Sequence, residues 1–329
     1  MNETIYFSST PIGQYIFIQS LYLPIGVLSI IGNSLVLVTF IKYKKLREAD
    51  CADLVAALSF GDLICGAGAL GTGLARLETA LLKDFNFTRF YCIFSAVPNL
   101  FGIEMSQAMT MAIAIDRLFA VSNPFAYRAM NHRRYAKISF AISIFCGCIV
   151  LVLSTAGVDF GTPPSRCQWT TAVHRISLNI YITGNALVGP IVAVMYATVI
   201  YKQRKWNKHT AAGKGDAAIK KFLATQAKMT VMLTKLVVVY CILVAAPLTI
   251  LEIWTALKIS PEFTNGFLSP MRNIMVSFNS AVNVVVYAHS SSNIRPFLIN
   301  LLTCGKKGTK GSRASDNDNA AAFSSPNIA

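Results

Sequence analysis

Apolar residues fill seven stretches of this chain, and polar residues gather in the gaps between them. Roughly 20 consecutive apolar residues carry a helix across bilayer hydrocarbon. The stretches Tyr15–Ile41, Asp53–Leu74, Tyr91–Ile115, Ile138–Val158, Ile176–Tyr201, Lys235–Trp254 and Met271–His289 meet or approach that length. The fourth and fifth hold no charged residue. A buried helix of a soluble protein looks alike in isolation, but seven such stretches leave no polar surface for a soluble fold. The pattern predicts an all-α membrane protein, a seven-transmembrane helix bundle. Beyond the seventh stretch, Ile294, Phe297, Leu298 and Leu301 recur on one helical face. That spacing predicts a short amphipathic helix in the membrane interface over residues 291–302.

Composition agrees with the pattern. The 329 residues are 54% hydrophobic and 14% charged, with a mean hydropathy of +0.51, whereas soluble domains carry roughly 25% charged residues. A net charge of +15 raises the question of nucleic acid, but the positive residues follow topology. The loops after spans one, three and five, with the tail, hold 22 of the 30 Lys and Arg, among them Lys42, Arg47, Arg133, Lys202 and Lys220. The opposite loops hold seven: Arg76, Lys83, Arg89, Arg166, Arg175, Lys258 and Arg272. This asymmetry places the N-terminus outside and assigns the charge to membrane lipids rather than nucleic acid. Sequons at Asn2 and Asn86 both fall on the outer side and are candidate glycosylation sites. The first span exceeds a signal-peptide h-region and follows no basic segment, so the first helix is expected to act as the targeting signal. The expected organisation is an outer tail, residues 1–14, a single helical domain, 15–302, and a polar, disordered inner tail, 303–329.

Of the eight cysteines, six fall in helices or on the inner side, where thiols stay reduced. Cys92, at the outer start of span three, and Cys167, between spans four and five, share the oxidising side. A bridge between them is expected. Cys304, at the end of the amphipathic segment, is a palmitoylation candidate, with a plain free thiol as the competing reading. No Cys or His spacing suggests zinc.

Polar residues deep in apolar spans are costly and mark pathways or switches. Span one holds Gly32-Asn33 with Val36, span two Leu58 with Asp62, and span three Glu104, Ser106 and the pair Asp116-Arg117 followed by Ala120, Val121, Pro124 and Tyr127. Spans five and six carry Pro190 and Pro247, and span seven Asn279, Asn283 and Tyr287. In order and spacing, including the 25 residues from Cys92 to Arg117, these motifs resemble the rhodopsin-like G-protein-coupled receptors over residues 15–302. There are departures. Leu118 follows Asp116-Arg117, Val284 stands at the usual seventh-helix proline, and Val244-Ala245-Ala246 lacks the Cys and Trp expected before the sixth-helix proline. Span four has no tryptophan, and Thr198 occupies the place of the fifth-helix tyrosine. This looseness is similar to the nematode serpentine chemoreceptors of the class called SX. Asn99 stands where monoamine receptors have aspartate, and Ser277 where opsins have the retinal-linking lysine. No retinal is therefore expected.

The resemblance implies a plasma-membrane, multi-pass receptor that binds an extracellular small molecule or peptide and activates a heterotrimeric G protein. It implies that Asp116 restrains Arg117 at rest, and that the released Arg117 faces the cavity receiving the C-terminal helix of a Gα subunit. It also implies that Tyr287 swings in to support Arg117 and that Pro124 docks beside it from the second inner loop, with Tyr127 and Asn283 in the same coupling set. It places Asp62, Ser106, Asn279 and Asn283 around an allosteric sodium ion, with a polar helix-joining network as the competing reading. Ligand candidates are Asn99, Ile103, Glu104, Asn179, Thr183, Thr249, Glu252, Asn273 and Ser277, each with helix packing as its alternative. Glu104 and Glu252 favour a cationic group. A transporter or channel using Asp62, Glu104 and Lys235 is the second class, but no repeat of broken helices supports it. An enzyme lacks its constellation, since His132, His174, His209 and His289 lie mostly near loops.

Overall fold

The computed structural model describes residues 12–47, 51–82, 87–164, 167–211, 217–257, 268–290 and 294–302. Asn2, Asn86, Cys304 and the tail 303–329 lie outside the described residues. Seven long helices run through the described part: α1 (Ile12–Lys42), α2 (Ala52–Leu81), α3 (Val97–Ser122), α4 (His132–Thr155), α5 (Arg175–Ala211), α6 (Ala217–Tyr240, continued through Cys241–Ala245 and Ala246–Ala256) and α7 (Ser269–Ser290). A short α8 (Arg295–Leu302) follows, where Phe297 packs on Tyr43 at 4.6 Å between ring centroids and Asn300 donates to the Tyr43 hydroxyl.

One predicted boundary moves. The chain enters span three through a separate helix, Arg89–Phe94, and α3 begins only at Val97. Pro98 sits in the first turn of α3. It has no backbone N–H to give an earlier turn, so the helix starts there rather than running through from Tyr91.

Five helices, α1, α2, α4, α5 and α6, carry a window long and apolar enough to cross a membrane. The two that fall short, α3 and α7, hold the polar motifs. In α3, 16 of 26 residues are buried, including Asn99, Ser106, Gln107, Asp116 and Arg117. In α4 the buried residues are only Ala136, Ser139, Ser143, Gly147, Val150 and Ser154, a stripe of mostly small side chains. Its opposite face exposes Ile138, Ile142, Phe145 and Val152. Helices associate in lipid through small residues and interhelical hydrogen bonds, because lipid itself takes the apolar face. Thus α3 is the polar axis of the bundle, and α4 lies at its rim.

Close backbone contact joins α2 to α3. A Cβ added at Gly102 would lie 2.2 Å from the Cys65 backbone nitrogen. Only glycine allows this approach. Val284, in the place of the expected proline, fills the space left by Gly32 of α1, where a Cβ would meet a Val284 methyl at 2.9 Å. α7 runs as one helix through this position. In α6, a π-helical turn at Cys241–Ala245 precedes Pro247, and the Ala246 N–H reaches back to the Cys241 carbonyl. The wider turn accommodates a proline ring that would otherwise strike the preceding turn.

Candidate functional site

Polar groups meet at three depths of the bundle. At the inner end of α3, Asp116 and Arg117 are buried, and Arg117 has no exposed surface. Arg117 Nε donates to Asp116 Oδ2 at 2.9 Å and Nη2 to the same oxygen at 2.5 Å. Tyr127 completes the group: its hydroxyl donates to Asp116 Oδ2 at 3.2 Å and accepts from Arg117 Nη2 at 2.6 Å. Local sequence delivers this tyrosine. Asn123 caps the helix Pro124–Ala129 by accepting from the Ala126 N–H, and Pro124 takes its first position. One turn on, the Tyr127 ring lies 5.6 Å from the guanidinium. Pro124 is itself buried, so its effect is to aim Tyr127.

Cys51 is a fourth member that the motifs did not indicate. Its thiol donates to Asp116 Oδ2 at 3.0 Å and takes a contact from Arg117 Nη2 at 2.6 Å. Cys51 is also the non-glycine residue with positive φ among the described residues, at 65°. A left-handed backbone at such a residue costs about 1–3 kcal/mol and persists where its surroundings fix it. Here the thiol, tied to the charged pair, does so. A cleft of about 350 Å³, lined by Arg47, Cys51, Asp53, Asp116, His132 and Arg133, opens beside the group on the inner side. The inner end of α5 closes over α3, where Trp206 donates to the Val121 carbonyl and Lys202 to the Ser122 hydroxyl.

At mid-depth, Asp62 is fully buried. Its Oδ1 accepts from Ser106 Oγ at 2.7 Å and its Oδ2 from Asn283 Nδ2 at 2.8 Å. Asn33 donates to the Ser280 carbonyl, and Ser29 to the Asp62 carbonyl, tying α1, α2 and α7 together. A cavity of about 10 Å³ is lined by Asp62, Ser106, Gln107 and Asn279. Asn279 Oδ1 and Gln107 Oε1 are buried there with no hydrogen-bond partner. Lower down, the hydroxyls of Tyr196, Tyr240 and Tyr287 are also buried and without partners. Tyr196 is buried, whereas Thr198 is only half-buried. The inward fifth-helix tyrosine is therefore six residues past Pro190 and not eight.

At the outer end, the disulfide Cys92–Cys167 forms as expected, linking residues 75 apart. It holds the loop containing Trp169, whose Nε1 donates to Ser154 Oγ at 2.8 Å. Beneath lies a cavity of about 20 Å³ lined by Tyr22, Arg76, Asn99, Trp169, Arg272 and Asn273, with other residues of α2, α3 and α7. Asn99 bridges to α7 through Ser277 Oγ at 3.2 Å and to α2 through the Cys65 carbonyl.

The remaining ligand candidates separate. Ile103 is buried at mid-depth, beside Asp62. Glu104 accepts from Asn185 Nδ2 at 2.8 Å, away from the outer cavity. Glu252 is half-buried on α6 and does not line that cavity either. Asn179 and Thr183 are exposed on α5, and Thr249, exposed on α6, bonds the Ala245 carbonyl. These three face outward, because the buried stripe of α5 runs through Ser177, Tyr181 and Asn185 instead, and the α6 stripe through Val244, Leu248 and Leu251. The sequence reading missed Arg76, Arg272, Asn185, Gln107 and Cys51. Charged or amide side chains at inward helical positions were the available signal for the first four. Nothing local marks Cys51.

A seven-helix receptor is the class this fold and its polar axis define. The chain belongs to the family described as serpentine type 7TM GPCR chemoreceptor Srsx, whose model matches residues 26–302. It is 25% identical over 316 residues to the thyrotropin-releasing hormone receptor of Gallus gallus, covering 86% of this chain and 78% of that one. It is 23% identical over 248 residues to the vasopressin V2 receptor of Homo sapiens, covering 69% and 66%. Squid rhodopsin shares the fold, with a TM-score of 0.73 at 15% identity over 99% of this chain and 96% of that one. The protein is thus a multi-pass plasma-membrane G-protein-coupled receptor, not an enzyme, and its partners are a G protein and an extracellular ligand.

Proposed function

We propose that this receptor reports a chemosensory cue, and that Arg117 is the residue through which it couples to a heterotrimeric G protein. The observation that carries the reading is the complete burial of Arg117 with its charge met by Asp116. At rest, Asp116, Tyr127 and Cys51 hold the guanidinium against α3. In the active state it leaves this group and faces the inner cavity. The unpartnered hydroxyls of Tyr196, Tyr240 and Tyr287 are acceptors for it in that state. A ligand shifts such an equilibrium only by binding one packing better than the other, and ligand and G protein then raise each other's affinity reciprocally. The family description supports a chemosensory cue, and the two hormone receptors among the relatives are compatible with a peptide or a small molecule.

A sodium ion fits the mid-depth cavity. Hard cations take oxygen ligands, and the Asp62 carboxylate, Ser106 Oγ and the unpartnered oxygens of Asn279 and Gln107 supply them. Asn283 turns its amide nitrogen toward Asp62, so it orients the carboxylate. The ion would supply a positive charge to a carboxylate that pairs with no Lys or Arg among the described residues.

The test is guanine-nucleotide exchange on a co-expressed G protein. Arg117→Ala is expected to abolish exchange with surface expression intact, and Asp116→Ala to raise exchange without ligand. Wild-type exchange by the Arg117→Ala receptor refutes the assignment.

A further inference from the structure

Arg76 of α2 and Arg272 of α7 line the outer cavity together, each 6% exposed. Neither makes an ion pair with a carboxylate among the described residues. Arg76 Nη1 donates to Gln19 Oε1 at 3.3 Å, its Nε is buried with no partner, and its guanidinium lies 5.9 Å from the Tyr22 ring centroid. Arg272 spends Nε, at 2.9 Å, and Nη2 on the Asn273 side-chain oxygen, a neutral acceptor. Glu252 acts on Arg272 only at longer range. Two buried cations that pair with no carboxylate among the described residues are costly, and such charges are kept where an anion meets them.

Resting on the receptor reading above, we infer that the outer cavity takes a ligand bearing a carboxylate, held between Arg76 and Arg272. Guanidinium forks match carboxylate oxygens in plane and present parallel donors. The cavity, about 20 Å³, has room for roughly one water-sized group. It therefore receives the acid end, while the ligand body rests against Trp169 and the loop pinned by Cys92–Cys167. The cationic preference read from Glu104 finds no place here, since that carboxylate is engaged by Asn185 outside this cavity. A small organic acid and the C-terminal carboxylate of a peptide share this chemistry.

The purified full-length receptor tests the inference by thermal unfolding at fixed ionic strength. The probes are acetate, butyrate and octanoate with their primary amides, and a tripeptide with a free or an amidated C-terminus. The free acids are expected to raise the unfolding temperature saturably and the amides to leave it unchanged. The shift should vanish in Arg76→Gln and Arg272→Gln and persist, at higher acid concentration, in Arg272→Lys, which also controls for folding. A larger saturable shift with octanoate identifies the small-acid source, and one with the free tripeptide the peptide source. Equal shifts from acids and amides, or no acid-specific shift in the wild type, overturn the inference. Nucleotide exchange by Asp116→Ala reads the switch without ligand, so failure of the coupling assignment is distinguishable from failure of this site.

Discussion

The two ends of the bundle treat buried arginine in opposite ways. At the inner end, Arg117 finds a carboxylate, a phenol and a thiol from its own chain. At the outer end, among the described residues, Arg76 and Arg272 hydrogen-bond only neutral amides, Arg76 also lies against the Tyr22 ring, and Arg76 Nε has no hydrogen-bond partner. A satisfied buried charge holds a state in place. An unsatisfied one waits for a partner from outside. The proposed restraint at the inner end and recognition at the outer both rest on this contrast.

Stability gives the largest expected effect and the most direct way to break the contrast. Asp116→Ala strands the Arg117 charge, and breaking a buried pair from one side costs about 3–5 kcal/mol. Arg76→Gln removes a cation that pairs with no carboxylate among the described residues, so the ligand-free receptor should unfold at the same temperature as the wild type or higher. Calorimetry on the purified, ligand-free proteins compares them. Equal destabilisation by the two variants erases the distinction between the ends.

A middle-sized effect concerns the region between. If Asp62 holds sodium, the ion should suppress ligand-independent nucleotide exchange in the wild type. Coupling between sites is typically worth about 1–3 kcal/mol, a change of roughly 5–150-fold. Asp62→Asn should lose the sodium response, and an unaltered response in that variant removes the ion from this cavity.

The smallest effect sharpens the inner end. Cys51→Ala deletes one hydrogen bond to Asp116, worth about 0.5–1.5 kcal/mol, so basal exchange should rise about 2–10-fold. Cys51→Ser keeps a donor and should stay near wild type. If both variants behave alike, the thiol is a packing group rather than a restraint.

Much of the inner end was legible because its parts are close in sequence. Asp116, Arg117 and Tyr127 fall within one helix end and one proline-started turn, and local rules place them. Cys51 is 65 residues from Asp116, and no periodicity announces the contact. The outer end was misread for a different reason. Arg76 and Arg272 entered the sequence reading only as outer-side charges, and Asn179, Thr183 and Thr249 as pocket residues. Which face of a helix turns inward depends on its neighbours, and in lipid both faces are apolar enough to hide the answer. Thr198 fell to the same ambiguity, since Tyr196 takes the inward place.

The sequence alone determined the class of fold, the orientation across the membrane, the disulfide and the charged pair at the inner end. Those follow from hydropathy, from charge asymmetry and from residues whose chemistry acts locally. Tertiary structure decided which charges are paired. Pairing is settled by rotation and contact between helices far apart in the chain, and among the described residues that gave Arg117 a carboxylate and Arg76 and Arg272 only neutral acceptors.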